Sequence, residues 1–245
     1  GIGQSKFKSL PIVAINTTAG TASEVTINYV ITDEERHIKM LMVDPNCLAT
    51  ISVNDPELMV AKPASLTAAT GMDALTHAIE AYITIGAFRL SDTLALESIK
   101  LIGESLESAV DNGKNIEARS KMAWASYIAG LSFSNAGLGI VHSMAHQLGA
   151  EYNLAHGIVN AVLLPHVEEY NMDACGEKFR DIAEALGVST NGMSTIEANN
   201  AAINAIKSLS KKVGIPSGLK ELGVKEKDFE KLANQALADA CTGGN

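Results

Sequence analysis

Pro63-Ala64-Ser65-Leu66-Thr67-Ala68-Ala69-Thr70-Gly71-Met72-Asp73-Ala74-Leu75-Thr76-His77-Ala78-Ile79-Glu80-Ala81-Tyr82 marks the change in this chain. Up to Pro63 the apolar residues recur about every 2 positions, and from there about every 3.6, so a β portion gives way to helix. Ser65 to Thr70 opens a long helix that runs to Ala81-Tyr82. Ala69, Met72, Ala74, Leu75, Ala78 and Ile79 make it apolar nearly all round, the mark of a buried helix. Asp73 and His77 lie four apart and so project from one face, one turn from each other. A buried carboxylate is costly unless it is paired or holds a metal. Two readings follow: a structural Asp–His contact that pins the helix, or half of a metal site.

Downstream, His142-Ser143-Met144-Ala145-His146 repeats the four-residue spacing. His156 follows in Tyr152-Asn153-Leu154-Ala155-His156-Gly157, where the helical pattern breaks and a new apolar run begins. Three of the chain's 6 histidines fall in this short span. One carboxylate and several imidazoles from separate helices suit divalent iron, zinc, manganese or nickel better than copper(I) or a sulfur cluster. A polar core network is the competing reading. His-x-x-x-His invites comparison with zinc proteases, but Ser143 stands where those need a glutamate base. Of the other acids, only the distant Glu80 and Glu151 are candidates for a general base, which disfavours a metal-dependent hydrolase or lyase. His37, on a charged strand edge, and His166, after Pro165, read as structural or exposed.

Upstream of Pro63, Pro11 to Ile15, Val25 to Ile31, Ile38 to Val43 and Ala49 to Val53 read as strands. The second and third form a hairpin through the polar Asp33-Glu34-Glu35-Arg36 turn. Between the first two strands lies a small-residue loop, residues 16–24. Such hydroxyls and backbone N–H groups can line a nucleotide, yet the loop matches neither the Rossmann glycine pattern nor a P-loop, and by spacing alone it is a strand connection. Beyond Tyr82, Ser91-Asp92 is the expected cap of a helix burying Leu94, Ile99, Leu101, Ile102 and Leu106. Asn115-Ile116 begins one carrying Met122, Trp124, Ile128 and Leu131. Further helices are expected at 139–149, 157–171, 174–187, 194–213 and 225–241.

The chain has 245 residues, 47% hydrophobic and 19% charged, an ordinary folded composition. A net charge of −9 and 4% aromatics argue against a nucleic-acid partner. Cys47, Cys175 and Cys241 are too few and too dispersed for a disulfide framework. No signal-peptide pattern or membrane-spanning run is present, so a cytoplasmic protein is expected. Beginning at Gly1 without a methionine, the chain reads as a piece of a longer protein.

The runs Asn16 to Thr26, Ala69 to Tyr82, Gly139 to Gly149 and His156-Gly157 through Pro165-His166 resemble the iron-dependent (group III) alcohol dehydrogenases. The similarity extends over essentially the whole chain. Val141 to His146 fits that group better than the glycerol-dehydrogenase-like sister enzymes. Ile27 to Glu35 and Cys241 to Asn245 look most like the branch that interconverts 1,2-propanediol and lactaldehyde. The resemblance implies a mainly α fold of the dehydroquinate-synthase-like type: a helical metal-binding domain over 61–245, preceded at 1–60 by strands left from an N-terminal α/β nucleotide-binding domain. It implies Asp73, His77, His142 and His156 as ligands of Fe2+, with Zn2+ the alternative, and His146 beside nicotinamide and substrate in proton exchange. Thr17, Thr18, Thr21, Thr26, Val30 and Lys39 match positions lining the cleft for NAD, with NADP also open. Asn28, Phe133, Leu138 and Cys241 match the pocket for a short-chain primary alcohol or aldehyde. Homo-oligomers are usual in the family. The Gly-rich turn and acidic cofactor selector of the family's N-terminal domain have no counterpart here, so these residues alone are expected to bind cofactor poorly and turn over little.

Overall fold

The structure, a computed structural model, describes residues 5–33, 35 and 38–244, with the backbone alone at Thr32, Ile38, Lys39 and Leu41. Glu34, Arg36 and His37, part of the expected hairpin turn and strand edge, lie outside the described residues.

Four short strands come first: β1 (Val13–Ile15), β2 (Asn28–Asp33), β3 (Ile38–Val43) and β4 (Ile51–Val53). The β2–β3 hairpin is antiparallel, Asn28 facing Val43 and Asp33 facing Ile38. It starts at Asn28 rather than Val25, because the chain is still turning there: the Val25 N–H donates to Ala22 O, and Ala22 is in the left-handed region at φ 54°. β1 and β4 pair in parallel, Val13 opposite Ile51 and Ile15 opposite Val53. The alternation gave the strands but not this pairing.

Eight helices follow among the described residues: α1 (Ala64–Ile83), α2 (Arg89–Asp111), α3 (Ile116–Ala136), α4 (Ile140–Tyr152), α5 (His156–Asn171), α6 (Lys178–Ala185), α7 (Thr195–Lys212) and α8 (Phe229–Leu237). The chain is therefore mainly α, as read from the change of period. None of these helices is long and apolar enough to cross a membrane.

α1 is the axis of the domain. From Thr67 to Ile83 every residue but Thr70 is buried, with α2, α3 and α5 packed around it. The small residues make this geometry available. A Cβ on Gly71 would sit 2.2 Å from Leu106 Cδ1, so α2 crosses where α1 has no side chain. Met72, Leu75 and Ile79 are fully buried, and each contributes roughly 1.5–3 kcal/mol by leaving water. The buried Arg119 ties α3 to the start of α1, donating to Thr67 Oγ1 at 2.7 Å, Gly113 O at 2.9 Å and Lys62 O at 3.2 Å.

Three expectations need correction. α2 starts at Arg89, and Ser91 acts from inside the first turn, its Oγ accepting the Phe88 N–H at 2.8 Å. Trp124 is not on the buried stripe of α3. It is 53% exposed and stacks on Tyr127, because two residues from buried Met122 is the opposite side of a helix. The last helix is shorter than expected, Phe229–Leu237, which leaves residues 238–244 as an irregular segment lying across α4.

Candidate metal centre

α1 brings Asp73 and His77 to the centre of the domain on one face, one turn apart. α4 brings His142 from its first turn. Asn153, in the left-handed conformation at φ 51°, ends α4 and turns the chain so that His156 opens α5. Asn tolerates that conformation better than most residues, which makes the tight reversal available. One ligand-type atom from each of Asp73, His77, His142 and His156 lies within 4.8 Å of the other three. Asp73, His77 and His142 are buried, while the His156 side chain is 31% exposed and marks the open side.

The protonation states suit cation binding. Burial pushes the Asp73 carboxyl up, but the His77, His156 and His142 imidazoles and the Asn160 amide together hold it below its ordinary value. Burial, reinforced by His77 and His156, drops His142 well below the ordinary histidine range. An ionised carboxylate beside a neutral imidazole is the state that ligation requires. His77 is clamped between the Phe133 ring at 4.4 Å and the His142 ring at 4.5 Å.

The polar inventory does not balance without a cation. Asn160 Nδ2 lies 2.7 Å from Asp73 Oδ1, 3.1 Å from His156 Nε2 and 3.2 Å from His142 Nε2, but an amide nitrogen carries two hydrogens for these three acceptors. His77 Nδ1 and Asn160 Oδ1 are buried with no hydrogen-bond partner. With these orphans beside them, one carboxylate and three imidazoles whose ligand atoms converge are a donor set that fits a divalent ion.

Three participants were not legible as such in the sequence. Glu80, read as distant, is in contact with His142: Oε2 accepts from Nδ1, and Oε1 takes the Val141 N–H at 2.7 Å. It thereby caps α4, whose own N-cap Gly139 has no side chain, and leaves His142 Nε2 with its lone pair toward Asp73. Its signal was spacing, since Asp73, His77 and Glu80 are four and then three apart on one helical face. Asn160, four residues after His156, carried the same kind of signal. Asp239, in the irregular segment, carried none. Glu151 is elsewhere, paired with Lys231 at 2.6 Å.

His146 stacks on His156 with ring centroids 5.7 Å apart and directs Nδ1 to Asp239 Oδ2 at 3.0 Å. It is not among the four converging residues. Cys241 joins His146 and Asp239 in a neighbouring group, and Leu138 immediately precedes Gly139. Thr17 and Thr21 are exposed, Thr18 is half-buried and Thr26 is buried. Their loop wedges against α1 and α3: a Cβ on Gly20 would lie 2.8 Å from Thr70 Cβ, and one on Gly130 2.4 Å from Ala22 Cβ. Asn28 and the exposed Val30 are in β2. The preceding Ile27 donates its N–H to Ser134 Oγ, next to Phe133. Lys39 is in β3, its side chain outside the described part.

Gly157 sets the distance between α5 and α1. A Cβ there would meet Ala69 O at 2.4 Å and Asp73 Cβ at 3.3 Å, and the first is backbone that cannot swing aside. Gly157→Ala is expected to destabilise the protein by about 1–3 kcal/mol, despite alanine's better helix propensity. Because it moves His156 away from Asp73, metal affinity falls too. A urea midpoint and a metal titration on the same variant check both effects.

Lactaldehyde reductase of Escherichia coli (strain K12) is 52% identical over 245 residues, which is 100% of this chain and 64% of that protein. NAD-dependent methanol dehydrogenase of Bacillus methanolicus is 51% identical over the same length and shares. The crystal structure of a 1,3-propanediol oxidoreductase superposes with a TM-score of 0.98 at 53% identity, covering 100% of this chain and 64% of that one. The chain thus spans 64% of the length of these relatives. Iron-containing alcohol dehydrogenase matches residues 2–56, and the C-terminal part of the Fe-containing alcohol dehydrogenase family matches residues 67–245. With the helical domain and its converging side chains inside that second match, the chain belongs to the iron-containing alcohol dehydrogenase family.

Proposed function

We propose that residues 61–245 are the metal-binding catalytic domain of a nicotinamide-dependent alcohol dehydrogenase, and that residues 1–60 belong to its nucleotide-binding domain. The observation that carries this reading is the convergence of Asp73, His77, His142 and His156. Asp73, His77, His142 and His156 would hold a divalent cation, Fe2+ before Zn2+, which would supply Lewis acidity toward an alcohol or aldehyde oxygen. The chain's own residues do the rest. Asp73 supplies the single anionic ligand, so the site keeps net positive charge. Glu80 holds His142 in one tautomer. His146, its Nδ1 against Asp239, presents Nε2 for proton exchange with the substrate oxygen.

The Thr17, Thr18, Thr21 and Thr26 loop, with Val30 and Lys39, lines the cofactor side. Asn28, Phe133, Leu138 and Cys241 shape the substrate side. The cofactor is NAD, as in the name of the methanol dehydrogenase relative. Relatives at nearly equal identity are named for lactaldehyde, methanol and 1,3-propanediol, which supports a short-chain primary alcohol or diol as the substrate class. A metal-dependent hydrolase fits less well. Glu80 is fully buried with its oxygens on His142 and backbone N–H groups, and Asp239 is taken up by His146 and Gln147, so each acid beside these histidines already has a partner.

The test uses the full-length protein purified without oxygen. It is expected to hold one iron per chain and to reduce NAD with short primary alcohols. Absence of bound divalent metal, or ester or amide hydrolysis with no hydride transfer, would refute the reading.

A further inference from the structure

Next to the four-residue centre lies a second group of ligating side chains. His146, Asp239 and Cys241 each offer one ligand atom within 4.8 Å of the others. The segment that carries two of them is fixed in place. Cys241 donates its N–H to Asp239 Oδ1 at 3.0 Å, Thr242 Oγ1 donates to Ser143 Oγ on α4 at 2.8 Å, and Gly244 O accepts from Thr84 Oγ1 and the Ile85 N–H, both at 2.7 Å. Gln147 Nε2 donates to Asp239 Oδ2 at 3.1 Å and holds the carboxylate against His146. The His146 and Asp239 side chains are 8% and 11% exposed, so the group is sheltered but not sealed.

We propose that His146, Asp239 and Cys241 form a second cation site that takes a thiophilic divalent ion, zinc being the natural case. The chemistry of the donors separates it from its neighbour. One sulfur, one imidazole and one carboxylate suit zinc, cobalt or cadmium and not magnesium or calcium, whereas the first centre contains no sulfur. Three protein ligands leave the fourth position to water, so the ion is exchangeable rather than structural. Binding forms a metal–sulfur bond and releases the thiol proton to solvent, with no change of oxidation state. The nitrogen within reach of Asp239 is Nδ1, so a cation on it forces the ring proton onto Nε2. That is the opposite of the tautomer in which Nδ1–H donates to Asp239. Zinc in excess of iron therefore acts as a reversible inhibitor, a consequence that rests on the role proposed for His146.

Cobalt titration of the iron-loaded full-length protein tests the site itself, because only a cysteine ligand gives a near-ultraviolet thiolate-to-cobalt charge-transfer band. The band is expected to saturate at one equivalent, to persist in Cys47→Ser and Cys175→Ser, and to vanish in Cys241→Ser. Asp239→Asn is expected to weaken cobalt binding at least about tenfold. No band, or a band unchanged in Cys241→Ser, overturns the site. Zinc is also expected to slow alcohol oxidation in the native protein, whereas in Cys241→Ser, whose own basal rate is the reference because Cys241 is on the substrate side, added zinc is expected to leave that rate where it was. A band without that inhibition leaves the site standing and overturns the inhibitory role. Loss of iron from the first centre does not touch the band, so failure of the dehydrogenase reading is told apart from failure of this one.

Discussion

Asp73→Asn is expected to strip the full-length protein of iron and to lower turnover by about a hundred- to a thousandfold, the scale set by removing a single preorganised charge-stabilising group. The substitution keeps the shape of the side chain and removes its charge. Asp73 is the only anion among the four converging residues, so a cation in Asp73→Asn would be held by neutral ligands alone, among side chains of which three of the four are buried. His77→Ala removes a proposed ligand without touching the charge and also empties the slot between Phe133 and His142. Iron content by elemental analysis, with circular dichroism to show the helices intact, checks both variants. Either one retaining stoichiometric iron and a full rate removes that residue from the ligand set.

The second large effect is at Glu80. Glu80→Gln is close to isosteric, yet no orientation of the amide reproduces the carboxylate. With its oxygen on His142 Nδ1, its NH2 faces the Val141 N–H, donor against donor. With its NH2 on Nδ1, the imidazole proton moves to Nε2 and blocks the lone pair aimed at the centre. Metal affinity is expected to fall 10–100-fold, roughly the range for losing such a supporting group, with all four ligands in place.

The same residue sets a pH dependence of the metal-free protein. Burial pushes the Glu80 carboxyl up to about 7 from 4.5, and burial together with the Glu80 charge pushes Glu168 well above its ordinary value. A pKa raised by folding means that the folded state holds protons which the unfolded chain releases. The stabilising contribution is therefore complete below about pH 4.5 and is lost as pH rises through about 7. For Glu80 this amounts to about 3 kcal/mol. His142, which burial holds well below its ordinary value, contributes the opposite slope in this window, so the readout is the difference: between pH 5 and pH 8 the urea midpoint of the native metal-free protein should lose ground against that of Glu80→Gln. An unchanged difference would transfer the effect to other groups.

Much of this molecule is written locally. The change of period at Pro63 announced the helical domain, and the spacing of four put Asp73 with His77 and His142 with His146 on shared faces, because a helix of about 3.6 residues per turn does so whatever surrounds it. The alternation of residues 28–43 likewise fixed the hairpin, whose two strands are neighbours in sequence. What lay beyond reach has one physical character: each element depends on contacts across many residues, which no local period encodes. The parallel pairing of β1 with β4, the Glu80 bond to His142 and the approach of Asp239 to His146 join residues about 38, 62 and 93 positions apart. The ligand types could be read in order along the chain. That His156 and not His146 completes the convergence with Asp73 was decided by the left-handed turn at Asn153 and the bare surface of Gly157, which together let α5 settle against α1.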